Sequence, residues 1–339
     1  MFESADRPVS RHPKFFDALP PYLGGKRRLC PLIFALVAEQ IPRRNWSQLS
    51  WLDPFSGGGS VSLYAKAHGF RVIASDLSER AVLVSRALVE NSQVRLRRSD
   101  ILSLFRGDRA ERAATHLSDV LSVDQARWIY GALAVAAERP EPVRSLLQLV
   151  VMKATLRLFP MSLPAATDAR AAAHGDFDHI SPRRVGHYLR ARKSLSPEAI
   201  WRIAEQVNDG IFGGRGTALQ GDARELVARE PADVLYLDPP YAGTSKYDNE
   251  YAMIDELLGD TGPPGPPPTL DELLDAAVEI PLLVLSYGGP TISLAELEAL
   301  VARHRPVLRA LAVPYSHLRS IASDRKNREN REYLIIASR

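Results

Sequence analysis

The sequence predicts an α/β protein built on an open, doubly wound sheet that a helical insertion interrupts. Three observations carry this. Apolar runs at Leu49–Phe55 and Phe70–Ser75 flank a glycine turn and a helical stretch, the order of a βαβ unit. Strand signals then give way, over residues 101–207, to helical patterns. They return at Val234–Leu237, Leu282–Ser286, Val307–Val313 and Tyr333–Ala337.

In chain order, the first 20 residues read as a loose polar arm. Leu49–Phe55 is a strand, Gly57–Gly59 a turn, and Val61–His68 the start of a helix. Phe70–Ser75 is the second strand and ends at Asp76; Ser78–Asn91 is a helix with Ser78 as its N-cap. Asp124–Ala137, Val143–Arg157 and Pro197–Val207 are helices joined by polar loops. Gly262–Pro268 (GPPGPPP) is an extended surface loop. Residues 1–100 and 208–339 thus form a split α/β domain, and 101–207 a helical insertion.

A chain of 339 residues can bury a full core without staples. With 45% hydrophobic and 24% charged residues it is neither wholly disordered nor fibrous. A single cysteine, Cys30, excludes a disulfide framework and a cysteine-based zinc cluster, and fits a reducing cytosol. The eight histidines show no metal-ligand spacing, and no metal is expected. Apolar runs such as Leu146–Val151 and Ile280–Leu285 are far shorter than the ~20 residues of a membrane span. The N-terminal segment has no apolar core for a signal peptide, so a cytoplasmic location is expected. Net charge is +3, but residues 220–299 hold 16 acids against 3 bases, leaving +16 for the rest. That asymmetry fits either a basic face for a polyanion or clustered solvated charge.

Glycines after a strand let the backbone approach a ligand closely. Asp76 lies 19 residues beyond Gly57, at the end of the next strand, where a carboxylate can accept both hydroxyls of a ribose. The pair reads as a site for an adenosine-containing cofactor. It is not the dinucleotide pattern G-x-G-x-x-G, whose third glycine is replaced by Ser62. Asp53 before the turn would repel a pyrophosphate but suits an ammonium, such as that of S-adenosylmethionine. A tight strand–helix turn without a ligand is the plainer reading of the glycines alone.

Asp238-Pro239-Pro240-Tyr241 follows the strand Val234–Leu237, at the carboxyl end where open α/β sheets place ligands. An aromatic amino nitrogen is a poor nucleophile because its lone pair is delocalised into the ring. A carboxylate and a backbone carbonyl that each accept one of its N–H bonds push it toward tetrahedral geometry. Asp238 offers the carboxylate, Pro239 the carbonyl in a rigid loop, and Tyr241 a flat face for a base. A proline turn that merely ends a strand is the bland alternative.

These residues resemble the adenine-specific DNA methyltransferases of the Dam type. Tyr22-Leu23-Gly24-Gly25-Lys26 is similar to the family's Y-x-G-G-K, and Asp53–Gly59 to its D-x-F-x-G-x-G. Leu219–Asp222 is similar to the acidic stretch before DPPY, and Arg319–Ser323 with Asn330–Ile336 to its closing β-hairpin. The order, glycine turn before DPPY, is that of the alpha group, whose insertion recognises the target. The resemblance implies a methyltransferase sheet, mostly parallel with an antiparallel C-terminal hairpin, and S-adenosylmethionine as cofactor. It implies that Tyr22, Phe55, Gly57 and Gly59 line the cofactor, with Lys26 near cofactor and target. Asp53 would meet the methionine end, Asp76 the ribose, and Asp222 the cofactor's adenine. Asp100 competes for that last role, or caps a helix; Lys26 could also be a surface lysine. The insertion lacks the N-x-x-G-x-F-N-x-P-x-G-like stretch of many relatives, which leaves the target sequence open.

Residues 183–193 hold five bases and no acid: Arg183, Arg184, Arg190, Arg192 and Lys193, interleaved with His187 and Tyr188. Such a run suits phosphate contact, or is a solvated helix face. Arg319–Arg331 is a second basic stretch. The expected reaction is methylation of adenine N6 in double-stranded DNA, with the base flipped out of the helix. Methylation of RNA or of cytosine N4, and a non-catalytic DNA-binding relative, are the alternatives. A cognate restriction endonuclease is a candidate partner, and the chain is expected to act as a monomer or weak dimer.

Overall fold

The computed structural model describes residues 13–22, 24–106, 121, 123–158, 178, 185, 195–241, 247–260, 267–288, 292–314 and 331–339. Seven strands form one sheet in the order β3-β2-β1-β4-β5-β7-β6. They are β1 (Ser50–Asp53), β2 (Arg71–Asp76), β3 (Arg215–Gln220), β4 (Val234–Leu237), β5 (Leu282–Gly288), β6 (Val307–Pro314) and β7 (Arg331–Ser338). The first five run parallel, while β7 pairs antiparallel with both β5 and β6. The predicted mostly parallel sheet with an antiparallel C-terminal hairpin is therefore present.

The central strands β1 and β4 are buried at every position. Both faces are covered, so they read as continuous apolar runs and not as an alternation. On one face pack α1 (Cys30–Gln40), α2 (Ser60–Ala67) and α3 (Glu79–Val84), the last continued by a π-helical turn over Ser85–Glu90. α4 (Arg98–Ser103) follows. Between α4 and β3 also come α5 (Val123–Ala137), α6 (Val143–Leu158) and α7 (Pro197–Asp209). These three join the same core as Trp51, Val72 and Leu88. Leu146, Leu147, Leu149 and Val150 of α6 are fully buried, so that helix is apolar around most of its circumference. The other face is covered by α8 (Ala223–Arg229), α10 (Leu270–Ala276) and α11 (Leu294–Ala302), packed on Leu235, Leu283 and Ile335. α9 (Tyr247–Leu258) follows the DPPY segment.

The structure adds to or departs from the sequence reading at three places. The first 20 residues are not all a loose arm: Lys14–Ala18 is a 3₁₀ turn whose Phe16 and Ala18 are fully buried. Buried Lys153 of α6 holds it, donating to the carbonyls of Asp17 (2.5 Å), Ala18 (2.8 Å) and Leu19 (3.1 Å). Strand β3 was unforeseen, because RGTALQ has no apolar run and the strand is only half covered. Its Gly216 lies so close to the π-helical turn that a Cβ would stand 2.3 Å from the Val89 carbonyl oxygen. Ser78 does occupy the N-cap position of α3, but its side chain makes no capping bond. Asp260, just beyond α9, accepts from the Glu79 amide instead (2.9 Å).

Candidate active site

The strand order reverses between β1 and β4, and ligands of open α/β sheets bind in the crevice at such a switch point. Asp53 ends β1, Asp76 ends β2, and Asp238 directly follows β4. Three carboxylates thus gather at the carboxyl edge because three neighbouring parallel strands end there.

The glycine turn is tied to β2. Gly57 donates its N–H to Asp76 Oδ2 (2.8 Å), and the Ser78 amide donates to Asp76 Oδ1 (3.0 Å). Gly57 and Gly59 have φ of +47° and +75°, where a side chain would be strained. A Cβ on Gly58 would stand 2.6 Å from Tyr22 Cβ, so the Tyr22 side chain lies against the turn. Tyr22 stacks on Tyr251 of α9 (centroids 5.3 Å apart), and the Arg80 guanidinium sits 3.7 Å from the Tyr251 ring centre. α9 therefore roofs the turn, held also by an Arg80–Asp255 ion pair at 3.5 Å. Phe55 is half-buried beside it.

Asp53 is 1% exposed. Its Oδ2 accepts from the Ser62 hydroxyl (2.6 Å), while Oδ1 has no hydrogen-bond partner among the described residues. Burial pushes its pKa up to about 7, opposed by the Ser62 bond and reinforced by the charges of Asp238 and Asp76. Burial also raises Asp76, against the two backbone bonds that it accepts. A buried carboxylate with an unmatched oxygen is costly, and a cation arriving beside it would relieve that cost.

Asp238 faces a polar cluster. Lys26, 3% exposed, donates to Asp238 Oδ1 (2.8 Å), to the Tyr241 hydroxyl (2.8 Å) and to the Gly24 carbonyl (3.2 Å). The Tyr241 hydroxyl lies 2.9 Å from Asp238 Oδ1 and 2.6 Å from Glu332 Oε1. Among the described residues, the Lys26 ammonium and the Tyr241 hydroxyl both approach Asp238 at Oδ1. One carboxylate oxygen is fixed, and the side chain stays 19% exposed. Burial raises the pKa of Asp238; Lys26 opposes that and Glu332 adds to it. Pro239 is buried and Pro240 exposed; Tyr241 packs against Tyr287 at 4.9 Å.

The structure thus brings together Tyr22, Lys26, Asp53, Phe55, Gly57, Gly59, Asp76 and Asp238–Tyr241 at one edge of the sheet. Lys26 is no surface lysine. Asp222 is occupied within its own turn: it caps α8 by accepting from the Arg224 amide (2.8 Å) and pairs with the Arg224 guanidinium (2.7 Å). That hydrogen bond first, then backbone amides, lowers its pKa. Asp100 takes its capping alternative, accepting from the Arg97 amide at the start of α4 (2.7 Å). Arg183, Arg184, Tyr188, Arg190, Arg192 and Lys193 lie outside the described residues, as does most of Arg319–Arg331 and of the GPPGPPP segment. Glu332 was not foreseen. Its signal was an acid at a position that shares a strand face with Leu334 and Ile336, in a strand buried on both sides. Among the described residues, no three His, Cys, Asp or Glu side chains cluster as a metal site, and no helix is long and apolar enough to cross a membrane.

Residues 22–113 match the family model of D12 class N6 adenine-specific DNA methyltransferases. Over 333 residues, 93% of this chain and 96% of the relative, the sequence is 26% identical to the type II methyltransferase M2.HphI of Haemophilus parahaemolyticus. Two solved structures of the rRNA methyltransferase aviRa from Streptomyces viridochromogenes are similar at 14% and 13% identity, with TM-scores of 0.32 and 0.36. They cover 91% and 99% of this chain, and 84% and 96% of their own. The matched segment contains the Y-x-G-G-K stretch, the glycine turn and Asp76, so the resemblance read from those motifs is borne out, and with it DNA adenine methylation as the function.

Proposed function

We propose that this methyltransferase moves a methyl group from S-adenosylmethionine to the exocyclic N6 of an adenine flipped out of duplex DNA. The observation that carries the reading is the pairing at the switch point. Asp238 has one oxygen held by the Lys26 ammonium, beside the Tyr241 hydroxyl, and its side chain part-exposed. Beside it on the neighbouring strand, buried Asp53 holds an oxygen without a hydrogen-bond partner among the described residues. An amino group fits the first and an ammonium the second.

The donor set fits the cofactor. Asp53 would take its ammonium, Gly57 and Gly59 would admit its backbone-hugging portion, and Tyr22 and Phe55 would wall it. Asp76 would accept from the ribose while keeping the glycine turn in place. Asp222, freed from Arg224, would accept from the adenine amino group. When bound, S-adenosylmethionine supplies an electrophilic methyl on a sulfonium. Asp238 accepts one N6 hydrogen and the Pro239 carbonyl the other, which localises the lone pair on nitrogen. Tyr241 stacks on the flipped base. Lys26 keeps the Asp238 carboxylate ionised and oriented. Methyl transfer would leave one N6 proton to be shed, and part-exposed Asp238, already accepting from that N–H, would take it and pass it to solvent. The acceleration is chiefly the alignment of two bound reactants.

The DNA surface is proposed on the insertion, at Arg183, Arg184, Tyr188, Arg190, Arg192 and Lys193, where the chain is acid-free. Residues 101–207 would thus read the target while α5–α7 anchor that unit on the sheet. Action beside a cognate restriction endonuclease, as a monomer or weak dimer in the cytoplasm, completes the proposal. Transfer of labelled methyl groups to duplex DNA, followed by nucleoside analysis, tests it. N6-methyldeoxyadenosine is expected; label confined to RNA or to cytosine N4 would refute the substrate.

A further inference from the structure

We infer that Glu332 is a positioning residue for methyl transfer, acting through Tyr241 and Lys26 to hold Asp238 as an acceptor; this rests on the proposed role of Asp238. Glu332 lies on β7, fully buried, on a strand that contributes nothing else to the site. Its Oε1 accepts from the Ser286 hydroxyl of β5 (2.5 Å) and the Tyr241 hydroxyl (2.6 Å), and lies 3.3 Å from Lys26 Nζ. A buried carboxylate beside a second one is expensive unless its partners are arranged for it. The sheet makes room. Gly288 stands directly opposite Glu332 in the β5–β7 register. A Cβ there would lie 3.1 Å from both Glu332 Oε2 and the Tyr241 ring.

The geometry divides the protons. Tyr241 has one hydroxyl proton and two carboxylates within reach, and the shorter contact is to Glu332. With that proton committed to Glu332, Lys26 donates to the phenol oxygen and to Asp238 Oδ1. Asp238 keeps its remaining acceptor capacity for the incoming amino group. Other titratable groups facing the cluster are Tyr236 of β4, buried beneath it, and Asp53 of β1, whose charge couples to Asp238.

Glu332→Gln tests this. The variant keeps shape and loses charge. Its kcat should fall, by up to about 100-fold for a misplaced acceptor, at unchanged cofactor affinity. Loss of the neighbouring negative charge should also let Asp238 stay ionised to lower pH. The acidic limb of the kcat–pH profile should therefore move down. The Asp238 carboxyl carbon, followed by ¹³C NMR in the cofactor-free protein and assigned through Asp238→Asn, should titrate lower as well. Wild-type kcat would overturn the inference, and so would a kcat loss with limb and titration both unmoved, which means structural support only. Should Glu332→Gln fail to fold, Tyr241→Phe removes the same contact from the other end while keeping the ring, and wild-type kcat in that variant overturns the inference. If the wild-type protein methylates cytosine N4 or RNA, the substrate reading fails but the comparison is run on that substrate. If it methylates neither, the NMR titration decides alone.

Discussion

Two carboxylates on adjacent strands sit in different surroundings, and the roles proposed for them differ accordingly. Asp238 has one oxygen tied to the Lys26 ammonium and its side chain part-exposed, whereas Asp53 is sealed, its side-chain partner among the described residues being the Ser62 hydroxyl. Asp238→Ala should abolish methylation and leave cofactor affinity, read by calorimetry, largely intact. Asp53 should announce itself through pH. Its folded pKa of about 7 exceeds its unfolded value, so the folded state binds the extra proton. Stability conferred by the protonated form is complete near pH 4 and is lost as pH rises toward 7, by about 1.4 kcal/mol per unit within that window. Asp53→Asn keeps the acceptor for Ser62 and removes the titration. Relative to wild type, its stability in urea titrations should rise between pH 4 and 7 and level off above. A flat difference across that range would contradict the burial argument.

At the scale of elements, the glycine turn is a joint between β1, β2 and α2 with Asp76 as its pin. Asp76→Ala removes bonds from two backbone amides, each worth about 1.5–3 kcal/mol to a charged acceptor. The cofactor should bind more weakly and the protein melt lower, because one side chain serves both turn and ligand. Unchanged affinity with a lowered melting temperature would confine Asp76 to structure. This joint was legible in the sequence, since a strand, glycines and a terminal acid are local signals. So was DPPY. Other parts were not. β3 lacks an apolar run because an edge-side strand is half covered, and its place comes only from pairing with β2. Glu332 reaches the site from 94 residues downstream of Asp238 through strand register, which no local pattern encodes. Lys153 shows the same limit: a buried lysine on an apolar helix makes sense only once the carbonyls of Asp17–Leu19 are seen beneath it.

For the whole molecule, charge and topology point the same way. The acidic stretch 220–299 carries Asp238 and the rest of the DPPY segment, so in the proposed reading the DNA would be held by the basic segments outside it. Replacing Arg183, Arg184, Arg190 and Arg192 together by Ala should weaken DNA binding and leave cofactor binding unchanged. Each lost phosphate contact should make the slope of log K against log salt shallower by about 0.9. A loss larger on the target than on random duplex, about 1–3 kcal/mol per bidentate contact, would instead mark base readers. Unchanged affinity and slope would move the DNA surface to Arg319–Arg331. In the proposed function, the edge built by Asp53, Asp76 and Asp238 methylates adenine at N6 in duplex DNA. Its most direct measurement is chromatography of the nucleosides from duplex DNA incubated with labelled S-adenosylmethionine and the protein, run beside Asp238→Ala. All label should elute as N6-methyldeoxyadenosine with the wild-type protein and none with the variant. Label in another nucleoside, or equal labelling by the variant, would contradict the account.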